Sequence, residues 1–338
     1  MKDLTRLESD RLYTLDVLKG LAILFVIVTH LGWEDTDRLR LGFPFWIEMA
    51  VPIFMLITGY VQAASYVRSG GITRTSLKDK IRKSLIRYTV PYVLTYGLEL
   101  LFFVAYTFYT TKTITAANVW DFFLKFFQGG WGPGSYYYPV FVQIAFLFPC
   151  IYLVVDKLRG KGVLLLAGIN VLYEIVKLAW GINDATYRML AFRYIFLLAV
   201  GCYFYKQREC AFNRCALAVS ALVGGIYITA VNYLGVVPLI FTQWTSTCMV
   251  SSLWVVPLVY GVTKMQVRCR LLEKIGSASY AIFLTQMVWF GCGGRKFVAM
   301  LSNSFWVECV VTVVVCVLAG LVFHRITSIL TKKALSNA

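Results

Sequence analysis

Few residues in this chain have the chemistry for catalysis, and three of them share one apolar stretch, TLDVLKGLAILFVIVTHLGW (14–33): Asp16, Lys19 and His30. On an α-helix the step from Lys19 to His30 is a rotation of about 1100°, about 20° past three full turns, so both fall on one face, about 16 Å apart along the axis. Asp16 lies three residues before Lys19 and can pair with it. An imidazole titrates near neutrality and can take a proton from a hydroxyl and return it, which makes His30 a candidate general base. Lys19 is a candidate anion-holding cation. Plainer readings exist for each: a histidine bonded to a neighbouring helix, and a lysine snorkelling to the interface. The chain has only two histidines, far apart, and nine scattered cysteines with no C-x-x-C pair, so no metal site is expected. It also has no G-x-S-x-G elbow, which argues against serine hydrolysis. Other polar groups inside apolar stretches are Glu48, Glu99, Glu174 with Lys177, Arg188, Arg193, Gln286 and Glu308. Charged residues in such positions are expensive and mark functional cavities by default. Glu174 and Lys177 could instead form a structural i,i+3 pair.

The elements that must position these residues are membrane helices. The composition is 59% hydrophobic and 15% charged, and mean hydropathy is +0.69, far from a soluble domain with about 25% charged residues. Apolar runs give ten candidate spans, at 14–33, 44–66, 88–109, 136–155, 162–180, 187–205, 215–235, 240–262, 276–293 and 304–326. With the N-terminus inside, 23 of the 33 Lys and Arg fall in cytoplasmic segments and 6 in outer loops, as the positive-inside rule requires. The expected fold is therefore all-α: a polytopic integral membrane protein of about ten transmembrane helices, both termini cytoplasmic, in a single domain over 1–338 with a core of about 11–328. The same bias accounts for the net charge of +16 without a nucleic-acid partner. The first span is too long, and lacks the cleavage site, for a signal peptide.

Two connections stand out. RSGGITRTSLKDKIRKSLIRY (68–88) is densely basic and suits either an anionic leaflet or a phosphorylated cytoplasmic ligand. GGWGPGSYYY (129–138) is too rich in Gly and Pro to be helical and is expected to form a loop. The cysteines are read as packing residues.

At this point the chain resembles the membrane acyltransferase 3 family, which transfers acyl groups to sugars, polysaccharides and lipids. LDVLKGLAILFVIVTH (15–30) is similar to its first-helix signature, VPIFMLITGY (51–60) to its second helix, and GPGSYYYPVFVQIAFLFP (132–149) to the aromatic entry of a later one. FRYIFLLAVGCYFYK (192–206) resembles its arginine-bearing mid-chain helix, and IGSASYAIFLTQ (275–286) its late Gly-x-x-Ser-Tyr helix. No stretch is specific alone; their order is. The chain has Lys19 where the family usually has arginine, which keeps the charge but loses bidentate geometry. It has Gln286 where the family often has histidine, which leaves His30 as the main candidate base.

The resemblance implies an O-acyltransferase with an acyl-CoA donor, most often acetyl-CoA, supplied from the cytoplasm, and no bound cofactor. Lys19 with Arg82, Lys83 and Arg87 would hold the donor, and Asp16, Glu48, Arg193, Tyr280 and Gln286 would line the cavity. The acceptor would be a sugar, polysaccharide or glycolipid, with Trp33, Trp131, Tyr136 and Tyr137 placed to stack on it or to form an interfacial belt. The setting would be a cell membrane, that of a bacterial plasma membrane. A multi-pass transporter or flippase is the alternative, since buried charges also suit a substrate path; no pair of Gly/Pro-broken spans recurs in two halves to favour it. A non-catalytic membrane scaffold is disfavoured by the buried charges.

Overall fold

The computed structural model describes residues 2–210, 212–265 and 267–336. Among them the regular structure is helical, with no strand. In chain order the α-helices are α1 (Lys2–Thr29), α2 (Asp35–Arg40), α3 (Ala50–Arg68), α4 (Arg74–Thr111), α5 (Ala116–Gln128), α6 (Tyr137–Leu158), α7 (Gly160–Ala179) and α8 (Asp184–Met189). They continue as α9 (Ile195–Lys206), α10 (Arg214–Asn232), α11 (Met249–Ser252), α12 (Val256–Lys264), α13 (Arg270–Ser277), α14 (Ser279–Gly291), α15 (Gly294–Leu301) and α16 (Phe305–Ser336). Among the described residues, six segments are long and apolar enough to cross a membrane: Phe43–Arg68, Thr75–Thr111, Tyr137–Leu158, Gly160–Ala179, Arg214–Asn232 and Phe305–Ser336.

The other four expected spans take different forms. The first is helical only to Thr29. The segment 187–205 breaks at Leu190, which is extended, and resumes through a 3-10 turn (Ala191–Tyr194) into α9. The segment 240–262 is pieced together from 3-10 turns, α11 and α12. The segment 276–293 holds the 13-residue α14. Irregular backbone at membrane depth needs protein around it, because lipid offers no hydrogen-bond partners. Two of these segments have that cover: α9 is buried along nearly its whole length and α14 over about half of its residues, whereas α10 and α16 bury few.

The helices form two compact units. The first comprises residues 1–29, 33–77 and 146–277. Its two tightest crossings are made by glycines. Gly20 of α1 lies against the Leu272 carbonyl of α13, and Gly276 of α13 against the Asp16 carbonyl of α1. Gly59 of α3 and Gly201 of α9 meet the Leu198 and Leu56 carbonyls in the same reciprocal way. Small residues let helix backbones approach within a membrane, where dispersion rather than the hydrophobic effect holds helices together.

The second unit comprises residues 30–32, 78–145 and 278–338. Here α14 packs on α16, with Gly320 against Ile282. The loop expected at 129–138 is present over 129–136, between α5 and α6, with Gly129, Gly130 and Gly134 at positive φ, but Tyr137 and Tyr138 already form the first turn of α6. Residues 116–128, expected to lie in an outer loop, are helical. Thr115 and Asn118 close a capping box at the start of α5.

Candidate active site

α1 positions the two residues of the first stripe differently from a continuous helix to residue 33. Lys19 lies within it and pairs with Asp16 at 2.5 Å, each side chain about a quarter exposed (25% and 26%). His30 is the first residue past the helix end at Thr29. The turn there is stabilised locally: Trp33 Nε1 donates to the Val28 carbonyl at 2.9 Å, and Thr29 Oγ1 donates to the Phe25 carbonyl at 2.9 Å. His30 is half-buried, and within its own unit its ring meets the edge of Phe290, near the end of α14, with centroids 5.9 Å apart. Two residues on, Gly32 lies against the guanidinium of Arg295, which is ion-paired with Glu308.

The same unit shows what Gln286 and Glu99 do. Gln286 is fully buried, and its Nε2 donates to the Pro133 carbonyl at 3.2 Å. Glu99 is fully buried and accepts the Trp131 backbone N–H at 3.2 Å. Trp131 in turn stacks with Phe103 and Tyr96 at 4.5 and 5.6 Å. The Gly/Pro-rich loop is thus fastened from two sides by buried polar side chains, which supplies its backbone groups with partners that lipid cannot. Trp131 and the buried Tyr137 are engaged in this packing, and Trp33 packs edge-on against Phe43 at 5.1 Å. Tyr136 meets Tyr137 at 4.5 Å, so all four aromatics expected to meet a sugar already have ring partners.

The remaining expected site residues fall as follows. Arg82, Lys83 and Arg87 are exposed along the first turns of α4, and Lys83 also pairs with Asp79 at 3.2 Å. Tyr280 donates to the Tyr88 carbonyl at 2.9 Å and meets the Tyr88 ring edge-on. Glu48 pairs with Arg38 at 2.5 Å. Arg193 is buried and donates to Thr247 Oγ1 at 2.9 Å. Glu174 and Lys177 bond to different partners, Tyr187 and Thr242, rather than to one another. Asp16 with Lys19 is the pair the structure brings together from the expected set. Sequence reasoning missed Asn170, Tyr187 and Trp244. Asn170 was visible in principle, as a polar residue four before Glu174 in an apolar helix; Tyr187 and Trp244 were not, because only folding brings them to α7 and Asp184.

The acyltransferase-domain family model matches residues 12–325, nearly the whole chain. The chain belongs to this acyltransferase family. The protein is accordingly a membrane-helical acyltransferase that transfers groups other than aminoacyl groups. No curated protein and no solved structure matches it significantly. The matched range takes in α1, His30, both units and the buried polar residues, so the family domain is built from both units rather than residing in one.

Proposed function

We propose that this acyltransferase moves an acyl group, acetyl in the first instance, from cytoplasmic acyl-CoA to a hydroxyl of a cell-envelope polysaccharide, its lipid-linked precursor or another exported molecule, in a bacterial plasma membrane. His30 is the general base. It removes the proton of the acceptor hydroxyl as the oxygen attacks the thioester carbonyl, and returns a proton to the departing CoA thiolate. Lys19 holds a donor phosphate through a charge-assisted hydrogen bond, and Arg82, Lys83 and Arg87 are the other cations expected to take that role. Ten crossings with both termini cytoplasmic place donor and acceptor on opposite faces.

The observation that carries this reading is the placement of His30. It lies just past the end of an apolar helix in a chain of this family, and it is half-buried rather than sealed in the interior. A purely structural histidine has no need of that exposure. The test is acyl transfer from acetyl-CoA by purified protein in nanodiscs, with acylated glycans and glycolipids read by mass spectrometry and donor binding followed in parallel. General-base catalysis supplies about 10²–10⁴-fold in rate, so His30→Ala and His30→Gln should both lower turnover by about that factor while binding acetyl-CoA normally. An amide can hydrogen-bond but cannot take the proton. Near wild-type transfer by His30→Gln would reduce His30 to a packing or hydrogen-bonding role.

A further inference from the structure

The first unit holds a second polar cluster that the histidine chemistry does not use. α7 presents Asn170, Glu174 and Lys177 at i, i+4 and i+7, one face of the helix, and none is more than 3% exposed. Tyr187 is the hub. Its hydroxyl donates to Glu174 Oε1 at 2.6 Å. The Lys177 ammonium and the Arg193 guanidinium lie 4.7 and 4.9 Å from its ring centroid. Two cations and one carboxylate thus surround one buried ring, leaving one positive charge in surplus. Above them is an exposed rim, where Arg188 lies over Trp244 at 4.5 Å and Asp184 accepts from both, from Trp244 Nε1 at 3.0 Å. Phe241 and Trp244, which bracket Thr242, hold φ of 63° and 53°, a conformation that bulky residues keep only where the surroundings impose it.

The cluster is incompletely satisfied. Glu174 Oε2 and both amide atoms of Asn170 are buried with no hydrogen-bond partner. Orphaned polar atoms inside a membrane span are costly, and three of them side by side on one helix face describe what is missing. A carboxylate oxygen accepts from a hydroxyl, and an amide both donates and accepts; adjacent hydroxyls of a sugar meet all three. The surplus cation calls for one negative charge on the same ligand. We propose that this cluster is the acceptor subsite, holding a sugar residue that carries one anionic group, a carboxylate or a phosphate; the assignment of the ligand as acceptor rests on the acyltransferase reading above.

The test uses the full chain in nanodiscs and follows intrinsic tryptophan fluorescence with D-glucuronate, glucose 1-phosphate, glucose and inorganic phosphate. Both anionic sugars should bind about tenfold more tightly than glucose or phosphate, and Asn170→Leu and Glu174→Gln should each weaken them about tenfold or more. Asn170→Leu should at the same time raise the melting temperature, because an apolar side chain of similar size replaces an orphaned amide; a purely structural asparagine would not combine a gain in stability with a loss of binding. The proposal falls if neither anionic sugar binds, if both variants bind as the wild type does, or if phosphate alone matches glucose 1-phosphate, which would leave a simple anion site. Acetyl-CoA consumption by the wild type separates the two readings. Donor use without sugar binding removes the subsite and keeps the acyltransferase. Sugar binding without donor use overturns the acceptor assignment.

Discussion

Lys19 shows how one side chain's role depends on its nearest partner. Pairing with Asp16 at 2.5 Å already holds the ammonium in place, so a donor phosphate would have to share or displace that carboxylate. Hydrogen bonds to charged groups contribute about 1.5–3 kcal/mol, so Lys19→Ala should weaken acyl-CoA binding by roughly 10–100-fold, while Lys19→Arg should keep most of the affinity. Asp16→Asn should tighten donor binding by freeing the cation. Titration calorimetry with acetyl-CoA on the three variants decides it. Unchanged affinity in a well-inserted Lys19→Ala protein would leave Lys19 a snorkelling residue. The pair itself was legible in the i,i+3 spacing. That His30 lies just outside the helix was not legible, because a histidine two residues before Gly32 is compatible with either side of a helix end.

The helices differ most from expectation where they are most buried. The period of apolar residues marks 187–205, 240–262 and 276–293 as membrane-length runs but cannot see the breaks within them, since an apolar run reads the same whether continuous or interrupted. What permits the breaks is the tertiary cover over α9 and α14. The reciprocal glycine crossings make this cover testable. A methyl group at Gly201 would run into the Leu56 carbonyl and the Tyr60 nitrogen, backbone atoms of α3 that cannot swing aside. Gly201→Ala should therefore destabilise the protein by about 1–3 kcal/mol, seen as a lower melting temperature in detergent. Gly168 of α7 is the control: it has nothing within 4 Å of an added Cβ, and Gly168→Ala should be neutral or stabilising by about 0.5–1 kcal/mol. Equal melting temperatures for the two variants would mean that the α3–α9 crossing is looser than the structure has it.

At the scale of the whole molecule, the distribution of basic residues predicts an orientation. The cytoplasmic segments named by the ten-span reading hold most of the Lys and Arg, and the six long apolar helices account for most of its crossings. Reporters fused after Lys161 and after Lys333 should read as cytoplasmic and one after Asp121 as external. An external signal at Lys161 would break the alternation and with it the proposed separation of donor and acceptor faces. The family domain spans 12–325 and draws on both compact units, so truncation at either end of that range should abolish transfer rather than leave an active half. Transfer activity in a fragment of either unit would overturn that expectation.

By itself, the sequence determined the class of the protein and its family. Apolar content and run length require membrane helices because unsatisfied backbone is intolerable in lipid. The position of basic residues biases topology because moving them outward is costly. An ordered set of short motifs identified the acyltransferase family before any coordinates. These signals are local or additive, so a linear chain carries them. The tertiary structure decided which polar groups meet. Gln286 and Glu99 fasten a loop 153 and 32 residues away along the chain from their respective ends of it, and Lys177 finds Thr242 65 residues on. Tyr187 joins Glu174, Lys177 and Arg193 around one ring. Such groupings depend on non-local packing, for which periodicity and composition hold no information, because any partner of the right type elsewhere in the chain would have satisfied the same local pattern.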